Sequence, residues 1–394
     1  MPHVGWNSAG TGAAIGAGAG VRAEDEVRAK ADVKARIRAG MAGMAGMAGM
    51  ARMAGMASVA RAAAIVALTV TFALTFVSGA ALAKVGRGYT IVRLSEVVRS
   101  IFYAPQYVAL AQGFFEDEGL KIDLSTAWGA DKGAAALISG ACDIGFFGPE
   151  AAIYIYNQGA PDYLVGFAQL TQMDGSFFLA RSGMPEPFSW EHVRGKTIVG
   201  ARLGGVPEMV LEWALKKHGI EPFKDVKIIT SLAFAAAPGA FAAGIGDYIA
   251  QFEPSMTELE MAGQGKIVAS MGVEGGEIMY TVYHVRRSQL VRDRDMLIRF
   301  TRALYQGMKW VEEHTPAETA ELIRPYFPDT KTDVIARIVK RYKDQGTWPK
   351  TPEVSPTGFM RLQEVMASAG ELKAAVPASA LMTTEITRAA LKTK

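Results

Sequence analysis

The chain is poor in the residues that carry redox, metal and nucleophilic chemistry. It has a single cysteine, Cys142, and only five histidines among 394 residues. One cysteine excludes an intramolecular disulfide, and the histidines show neither HxxxH nor HExxH spacing. No GxxxxGK[ST] or GxSxG motif occurs, and no Cys/His pair offers a nucleophile. The sequence therefore predicts no metal site, no cofactor and no catalytic residues, and we expect a protein that is not an enzyme.

A strong excess of charge is also absent. The chain has 42 Lys and Arg against 39 Asp and Glu. Residues 1–83 hold eight of the basic and four of the acidic residues, so the remainder has 42 − 8 = 34 against 39 − 4 = 35, a net charge of −1. This balance does not favour a nucleic-acid partner. Half of the residues are hydrophobic, which is typical of one or two globular domains.

The first 83 residues lack a core-forming pattern and end in a targeting segment. They are rich in Gly and Ala, and Arg61 precedes an uncharged run at 62–77 that is followed by Ala81-Leu82-Ala83. A basic region, an apolar run and small residues at −3 and −1 predict a low-complexity leader and signal peptide, cleaved after Ala83. A retained anchor is the alternative, although the run is shorter than the ~20 residues that span a bilayer. Export of this kind places the protein in the periplasm.

From residue 84 onward, short apolar strands alternate with amphipathic helices, which predicts α/β architecture with parallel strands. Strands are expected at 89–94, 120–124, 142–147, 163–169, 177–180, 197–200, 226–229, 247–251, 267–270 and 278–285. Helices are expected at 104–115, 133–138, 149–156, 206–217, 239–243, 255–262, 293–314, 316–326, 331–344, 356–369 and 378–391.

Five ordered sequence elements carry a family resemblance. They are Pro105-x-Tyr107, GFFxxEGL (113–120), LxxGxxDIG (137–145), RGKTIVG (194–200) and KKHGI (216–220). Together they resemble the substrate-binding proteins of nitrate/taurine/sulfonate-type ABC importers. The similarity covers nearly all of residues 88–394.

The resemblance implies a type II periplasmic binding protein, with two Rossmann-like lobes joined by a two-segment hinge. We expect residues 84–176 and 278–394 to form lobe 1 and residues 177–277 to form lobe 2. Such a protein captures a small molecule as its lobes close, and delivers it to an ABC permease in the inner membrane. We expect a monomer.

Candidate ligand-binding residues follow the strand ends, because ligands of open parallel sheets bind there. Two Pro-Glu turns at helix starts, at 149–150 and 207–208, place backbone amides and a carboxylate together. The predicted ligand-binding residues are Tyr103, Trp128, Phe147, Gly148, Glu150, Asp174, Arg202, Gly204, Gly205, Glu208, Phe252, Glu253 and Tyr283.

The predicted cleft is acidic. Glu150, Asp174, Glu208 and Glu253 face Arg202 as the nearest obvious cation. Unpaired carboxylates repel a simple anion such as nitrate, so an amine or an aminopyrimidine fits better. The helix N-termini could nevertheless hold a sulfonate. The expected ligand is therefore a small organic molecule, either sulfonate/taurine-like or aminopyrimidine/aromatic.

Two alternatives share the predicted fold. One is a solute-sensing input module that signals to a membrane partner. The other is an enzyme that resembles the thiamine-pyrimidine synthases. This sequence lacks the cysteine-rich iron motif of those enzymes, which disfavours the second alternative.

Overall fold

The computed structural model describes residues 88–392. The predicted leader, signal peptide and cleavage point after Ala83 lie outside this range. Within residues 88–392, no helix combines the length and the apolar character needed to cross a membrane.

Ten strands of the described chain form two five-stranded sheets. The strands are β1 Thr90–Glu96, β2 Leu120–Thr126, β3 Ile144–Phe147, β4 Leu164–Thr171, β5 Ser176–Arg181, β6 Thr197–Val199, β7 Lys227–Ile229, β8 Tyr248–Phe252, β9 Gly265–Ser270 and β10 Thr281–Arg286. The first sheet has the order β2-β1-β3-β10-β4, and the second has the order β7-β6-β8-β5-β9.

Helices connect and cover these strands. They are α1 Ala104–Ala111, α2 Phe114–Asp117, α3 Ala130–Ser139, α4 Glu150–Asn157, α5 Val206–Lys217, α6 Ala237–Ala242, α7 Ser255–Met261, α8 Met271–Gly275, α9 Gln289–Arg292, α10 Arg294–Glu313, α11 Pro316–Ile323, α12 Thr332–Gln345, α13 Pro356–Ser368, α14 Ala378–Leu381 and α15 Glu385–Lys392. Short 3-10 turns occur at Ile101–Tyr103, Trp190–Val193 and Arg324–Tyr326.

Each sheet is mainly parallel and contains antiparallel strands. In the first sheet β1 pairs in parallel with β2 and β3, and β10 runs antiparallel between β3 and β4. In the second sheet β6 pairs in parallel with β7 and β8, while β5 runs antiparallel to β8 and β9. The expected all-parallel pairing is therefore incomplete. The antiparallel strand is β10 in the first sheet and β5 in the second. Each of them is the first strand after the chain has crossed from the other sheet.

The chain passes between the sheets twice, after β4 and before β10, and α12 lies against both crossings. Tyr342 donates a hydrogen bond of 2.8 Å to the carbonyl of Gly175. Gln345 Nε2 donates to the carbonyl of Asp174 at 2.9 Å, and its Oε1 accepts from Ser270 Oγ at 2.6 Å. The predicted fold class, two α/β lobes joined by a two-segment hinge, is confirmed. The lobe boundaries proposed from the sequence stay predictions at the level of single residues.

Most predicted elements shift by a few residues at their ends, and three of the differences have a clear structural cause. The helix predicted at 378–391 is broken at Met382. The backbone of Met382 is extended because it forms a parallel bridge with Gly166 of β4. The first predicted helix divides at Gly113, whose φ of 74° is left-handed. The strand predicted from 278 begins only at Thr281, since Ile278 and Met279 donate their backbone hydrogen bonds outside the sheet, to Gln172 and Gly358.

Lobe 1 depends on close contact between α10 and α1. Helix α10 buries residues at helical spacing, among them Leu297, Phe300 and Leu304. At Gly307 the two helices approach so closely that an added Cβ would collide with the carbonyl of Pro105. A Cβ there would also lie 2.9 Å from Ala109 Cβ. Glycine is therefore required by the packing of two backbones.

We predict that Gly307→Ala lowers the free energy of unfolding by about 1–3 kcal/mol, because overpacking forces α10 away from α1. Chemical unfolding of the exported form provides the measurement. Gly239→Ala in α6 is the matched control, since a Cβ at Gly239 meets nothing within 4 Å. The control should gain about 0.5–1 kcal/mol from helix propensity. Equal stability changes in both variants would contradict the close approach.

Candidate functional site

The edges of the two sheets that carry the ends of parallel strands face each other. On the first edge, Tyr103 follows β1, Glu150 follows β3, and Tyr280 precedes the antiparallel strand β10. On the second edge, Glu253 follows β8. The edges touch where Ser100 Oγ donates to the carbonyl of Glu253 at 3.2 Å.

Glu150 is a buried carboxyl group, and among residues 88–392 no cation pairs with it. Its residue is 4% exposed, and its Oε2 has no hydrogen-bond partner in the same range. Burial raises the pKa of Glu150 to about 7, and the charge of Asp131 adds to this rise. The amides of Glu150 and Ala151 at the start of α4 act in the opposite direction and do not compensate. The group is poised between its neutral and charged forms near neutral pH.

Asp174 lies at the first crossing in a similar environment. Its Oδ1 accepts hydrogen bonds of 2.6 Å from both the amide and the hydroxyl of Ser176. Within the described residues its Oδ2 has no hydrogen bond of normal geometry, but the hydroxyl of Tyr280 lies close enough to interact with the carboxyl group. Burial raises the pKa of Asp174 to about 6, against the opposing effects of Ser176 and Tyr280.

Glu208 is the corresponding group in the first turn of α5. Its Oε2 accepts from the amide of Ala201 at 2.7 Å, and its Oε1 has no partner in the part of the chain that the structure describes. Burial raises the pKa of Glu208 to about 8, and Glu212 one turn later adds to the effect. The favourable helix dipole is worth only about 0.3–1 kcal/mol, so burial outweighs it.

Glu253 differs from these three because it is compensated. Its carboxylate pairs with Arg341 of α12 and accepts bonds of 2.9 Å from the amide and hydroxyl of Thr257. The sequence suggested Arg202 as the nearest cation of the cleft. In the structure Arg202 pairs instead with Asp131 at 3.1 Å, and both side chains are more than half exposed. Arg341 escaped prediction because it lies 88 residues from Glu253 in the chain.

An aromatic cluster centred on Phe102 joins the two lobes. The ring centroid of Phe102 lies 5.3 Å from Tyr103, 5.6 Å from Tyr280 and 5.7 Å from Phe252. Phe252 and Tyr103 were predicted, but Phe102 and Tyr280 were not. The available signal was the position of Phe102 beside Tyr103 in the same short turn, and that of Tyr280 immediately before a strand.

Two predicted aromatic residues instead make ring contacts inside lobe 1. Phe147 stacks on His284 with centroids 4.5 Å apart. Tyr283 stacks on Phe146 at 4.1 Å and donates a hydrogen bond of 2.8 Å to Gln106. Packing within lobe 1 therefore explains the positions of both rings. A role for either residue in ligand binding stays a prediction.

The other predicted residues lie on the turns that border the cleft. Gly204 has a left-handed φ of 77°, and its carbonyl accepts a hydrogen bond of 3.0 Å from Tyr154 of the opposite lobe. Gly205 has an ordinary φ of −91°. Gly148 adjoins Glu150, whose carboxylate folds back over it so that a Cβ would collide. Trp128 is 55% exposed and has a φ of 60°, next to the Arg202–Asp131 pair.

A buried network beneath the cleft holds Tyr103 in place, and sequence reasoning missed it. The carboxylate of Glu96 accepts hydrogen bonds from Gln106 at 2.9 Å, Tyr107 at 2.7 Å and Thr126 at 3.2 Å. Because Gln106 and Tyr107 belong to α1, the network ties that helix, and the turn before it, to the end of β1. Only the position of Glu96 at a strand end was visible in the sequence.

The arrangement presents hydrogen-bond acceptors in buried positions. Unpartnered acceptor oxygens of three carboxyl groups lie in buried positions, and the described residues contain no cluster of three or more His, Cys, Asp or Glu that could hold a metal ion. Unsatisfied buried acceptors are costly, by about 1–3 kcal/mol each. A ligand that donates hydrogen bonds would remove this cost.

Two α/β lobes joined by two crossings of the chain define the class: this is a type II periplasmic-binding-protein fold. The chain belongs to the NMT1/THI5-like family, whose model matches residues 100–318. The family resemblance predicted from the sequence is thereby confirmed.

Known proteins similar to this chain include one sequence relative and several solved structures. A protein of Bacillus subtilis (strain 168), provisionally named binding protein YtlA, is 42% identical over 306 residues, which is 78% of this chain and 91% of the relative. The alkanesulfonate-binding protein SsuA of Xanthomonas axonopodis pv. citri, solved bound to MOPS, is 17% identical with a TM-score of 0.61, and the match covers 75% of this chain and 98% of SsuA.

Two further structures show how widely the fold is used. The periplasmic nitrate-binding protein NrtA of Synechocystis PCC 6803 is 14% identical with a TM-score of 0.60, over 77% of this chain and 89% of NrtA. The desulfurization enzyme DSZB is 14% identical with a TM-score of 0.55, over 76% of this chain and 98% of the enzyme. At these identities the likeness concerns the fold, which serves binding proteins and at least one enzyme.

We predict that Arg341→Met destabilises the protein by about 3–5 kcal/mol at neutral pH, because it leaves Glu253 buried without its cation. Adding Glu253→Gln should restore much of this loss. The loss in the single variant should also shrink as the pH falls, since a neutral Glu253 needs no cation. Urea unfolding of the two single variants and the double variant measures the coupling. Additive effects in that cycle would show that the pair has no energetic role.

Proposed function

We propose that this protein is an extracytoplasmic solute receptor that closes its lobes on a small organic ligand and delivers it to an ABC permease. The single observation that supports this proposal best is the set of buried, unpartnered carboxyl oxygens of Glu150, Asp174 and Glu208. Family membership and the names of the similar binding proteins support the same class of function.

The electrostatics favour a ligand that donates hydrogen bonds over a simple anion. None of the three unpartnered carboxyl groups forms an ion pair within the described residues, while the basic side chains at the lobe contact, Arg202 and Arg341, pair with acidic partners. A sulfonate or nitrate would add negative charge to a low-dielectric cleft. An amine or a flat aminopyrimidine would supply donors, and the Phe102 cluster would supply aromatic surface.

Two alternative functions have weaker support. An enzyme would need a reactive group, and the one cysteine, Cys142, is buried and has its pKa raised by burial to about 11. A thiol of that kind is inert. A sensor module would use the same ligand cleft and differ only in its membrane partner. Co-purification of the detergent-solubilised protein with a permease and ATPase, rather than with a kinase, distinguishes transport from sensing.

A matched pair of variants tests which class of ligand the protein binds. We predict that Glu150→Gln and Asp174→Asn each weaken binding of an amine or aminopyrimidine about 10- to 100-fold, because a charge-assisted hydrogen bond is worth about 1.5–3 kcal/mol. The same changes should strengthen binding of a sulfonate. Thermal shift with a panel of amines, aminopyrimidines, sulfonates and amino acids identifies the ligand, and calorimetry measures the change.

Glu313→Gln is the control, because Glu313 is an exposed surface residue paired with Lys309. Saturating ligand should also reduce the radius of gyration in small-angle scattering. A ligand that binds wild type and both cleft variants equally well would place the site elsewhere.

Export is proposed from the sequence of the leader. Signal peptidase requires small residues such as Ala81 and Ala83. Intact-mass and N-terminal analysis of the exported protein should therefore show Lys84 as the first residue. A mature form that keeps residues 62–77 would support membrane anchoring instead.

A further inference from the structure

Two turns, one from each lobe, meet where the lobes touch. The turn at 128–129 follows β2 and leads into α3, which carries Asp131. The turn at 202–205 follows β6 and leads into α5 of the second lobe. Arg202 Nη2 in the second turn lies 3.1 Å from Asp131 Oδ1. This ion pair joins the two lobes directly, so separating the lobes would break it.

A hydrogen bond joins the same two lobes. The hydroxyl of Tyr154, on α4 of lobe 1, donates to the carbonyl of Gly204 in the second turn at 3.0 Å. Tyr154 is partly buried, whereas the side chains of Arg202 and Asp131 are 53% and 63% exposed. The lobes are therefore joined here by one solvated ionic contact and one partly shielded hydrogen bond. Only the ionic contact is readily screened by salt.

The first turn has an unusual backbone that permits this approach. Trp128 has a φ of 60°, which is uncommon for a residue that carries a side chain. Gly129 has a φ of 155°, and a Cβ at that position would lie only 2.8 Å from Arg202 Nη2 of the other lobe. A glycine is therefore needed for the guanidinium group to reach Asp131. Backbone strain of the kind seen at Trp128 is concentrated at functional sites.

We propose that the Arg202–Asp131 ion pair and the Tyr154–Gly204 hydrogen bond form a latch that holds the lobes together before a ligand is bound. Neither contact is strong by itself, because an exposed ion pair is solvated and a hydrogen bond replaces one made to water. The latch therefore shifts the balance between open and closed forms by a small factor and is easily released. Loss of both contacts should raise the ratio of open to closed protein about fivefold.

The latch also affects ligand affinity, although its residues need not touch the ligand. Closure is part of binding, so contacts that favour the closed form tighten binding by the same factor. This consequence rests on the proposed function. The latch itself rests only on the contacts between the two lobes.

Distance measurements by pulsed electron paramagnetic resonance on the ligand-free exported protein test the latch. Nitroxide labels are attached at Ala135→Cys in lobe 1 and at Lys224→Cys in lobe 2, since both positions are exposed. The native Cys142 is buried and should take no label. Adding Arg202→Gln plus Tyr154→Phe to this labelled protein should raise the population at the longer distance about fivefold.

Salt distinguishes the two parts of the latch. Raising the ionic strength from about 0.1 M to about 1 M shortens the Debye length from about 10 Å to about 3 Å. The longer distance should therefore gain population with salt in the labelled protein and in its Tyr154→Phe variant. It should not do so in the Arg202→Gln variant, which has no ion pair to screen.

Two matched variants serve as controls. Lys266→Gln removes an ion pair of the same length, 3.1 Å to Glu186, whose side chains are both 64% exposed within lobe 2. Tyr156→Phe changes another tyrosine of α4, whose ring packs against Tyr163 of the same lobe. Neither change should alter the distance distribution. Circular dichroism confirms that every variant is folded.

The proposal is overturned if the labelled protein and its double variant give the same distance distribution, or if the controls open the lobes as far as the double variant does. Either result leaves the proposed function intact, because ligand binding is measured separately by thermal shift. Conversely, a failure to find a ligand would not change these distances.

Discussion

Buried acidic groups set the electrostatics of this structure, and three of them form no ion pair with any residue in the range 88–392. In most protein interiors a carboxylate is paired, as Glu253 is with Arg341 here. Glu150, Asp174 and Glu208 are not, and their pKa values rise because desolvation disfavours the charged form. Under the proposed function, a ligand that donates hydrogen bonds or carries positive charge would remove this desolvation cost.

The fold brings these groups together through its crossings. Because β10 returns antiparallel between β3 and β4, the residue that precedes it, Tyr280, lies at the same edge as residues that follow β1 and β3. Asp174 and Tyr280 occupy the two hinge segments, which α12 holds through Tyr342 and Gln345. Two residues of the candidate site, Asp174 and Tyr280, therefore lie in the short stretches of chain that join the two sheets.

Much of this architecture could be predicted from local pattern, and the rest could not. Helix α5 was visible because apolar spacing, a proline at its start and lysines at its end agree. The acidic character of the cleft followed from Pro-Glu turns and strand ends. The partners did not: Arg341 lies far from Glu253 in sequence, and the Glu96 network joins residues on β1, β2 and α1. Pairing across a fold depends on tertiary contact, which periodicity does not encode.

Glu253, Glu150, Asp174 and Glu208 are buried, whereas the Arg202–Asp131 ion pair is exposed to solvent. An exposed pair contributes little to the choice of ligand. Arg202 and Asp131 are solvated, and such pairs contribute about 0–1 kcal/mol. Inside the cleft the same charges interact in a medium of low dielectric constant, where a ligand cation gains far more than it would at the surface. Under the proposed function, discrimination between cations and anions is therefore expected from Glu150 and Asp174 rather than from the exposed Arg202–Asp131 pair.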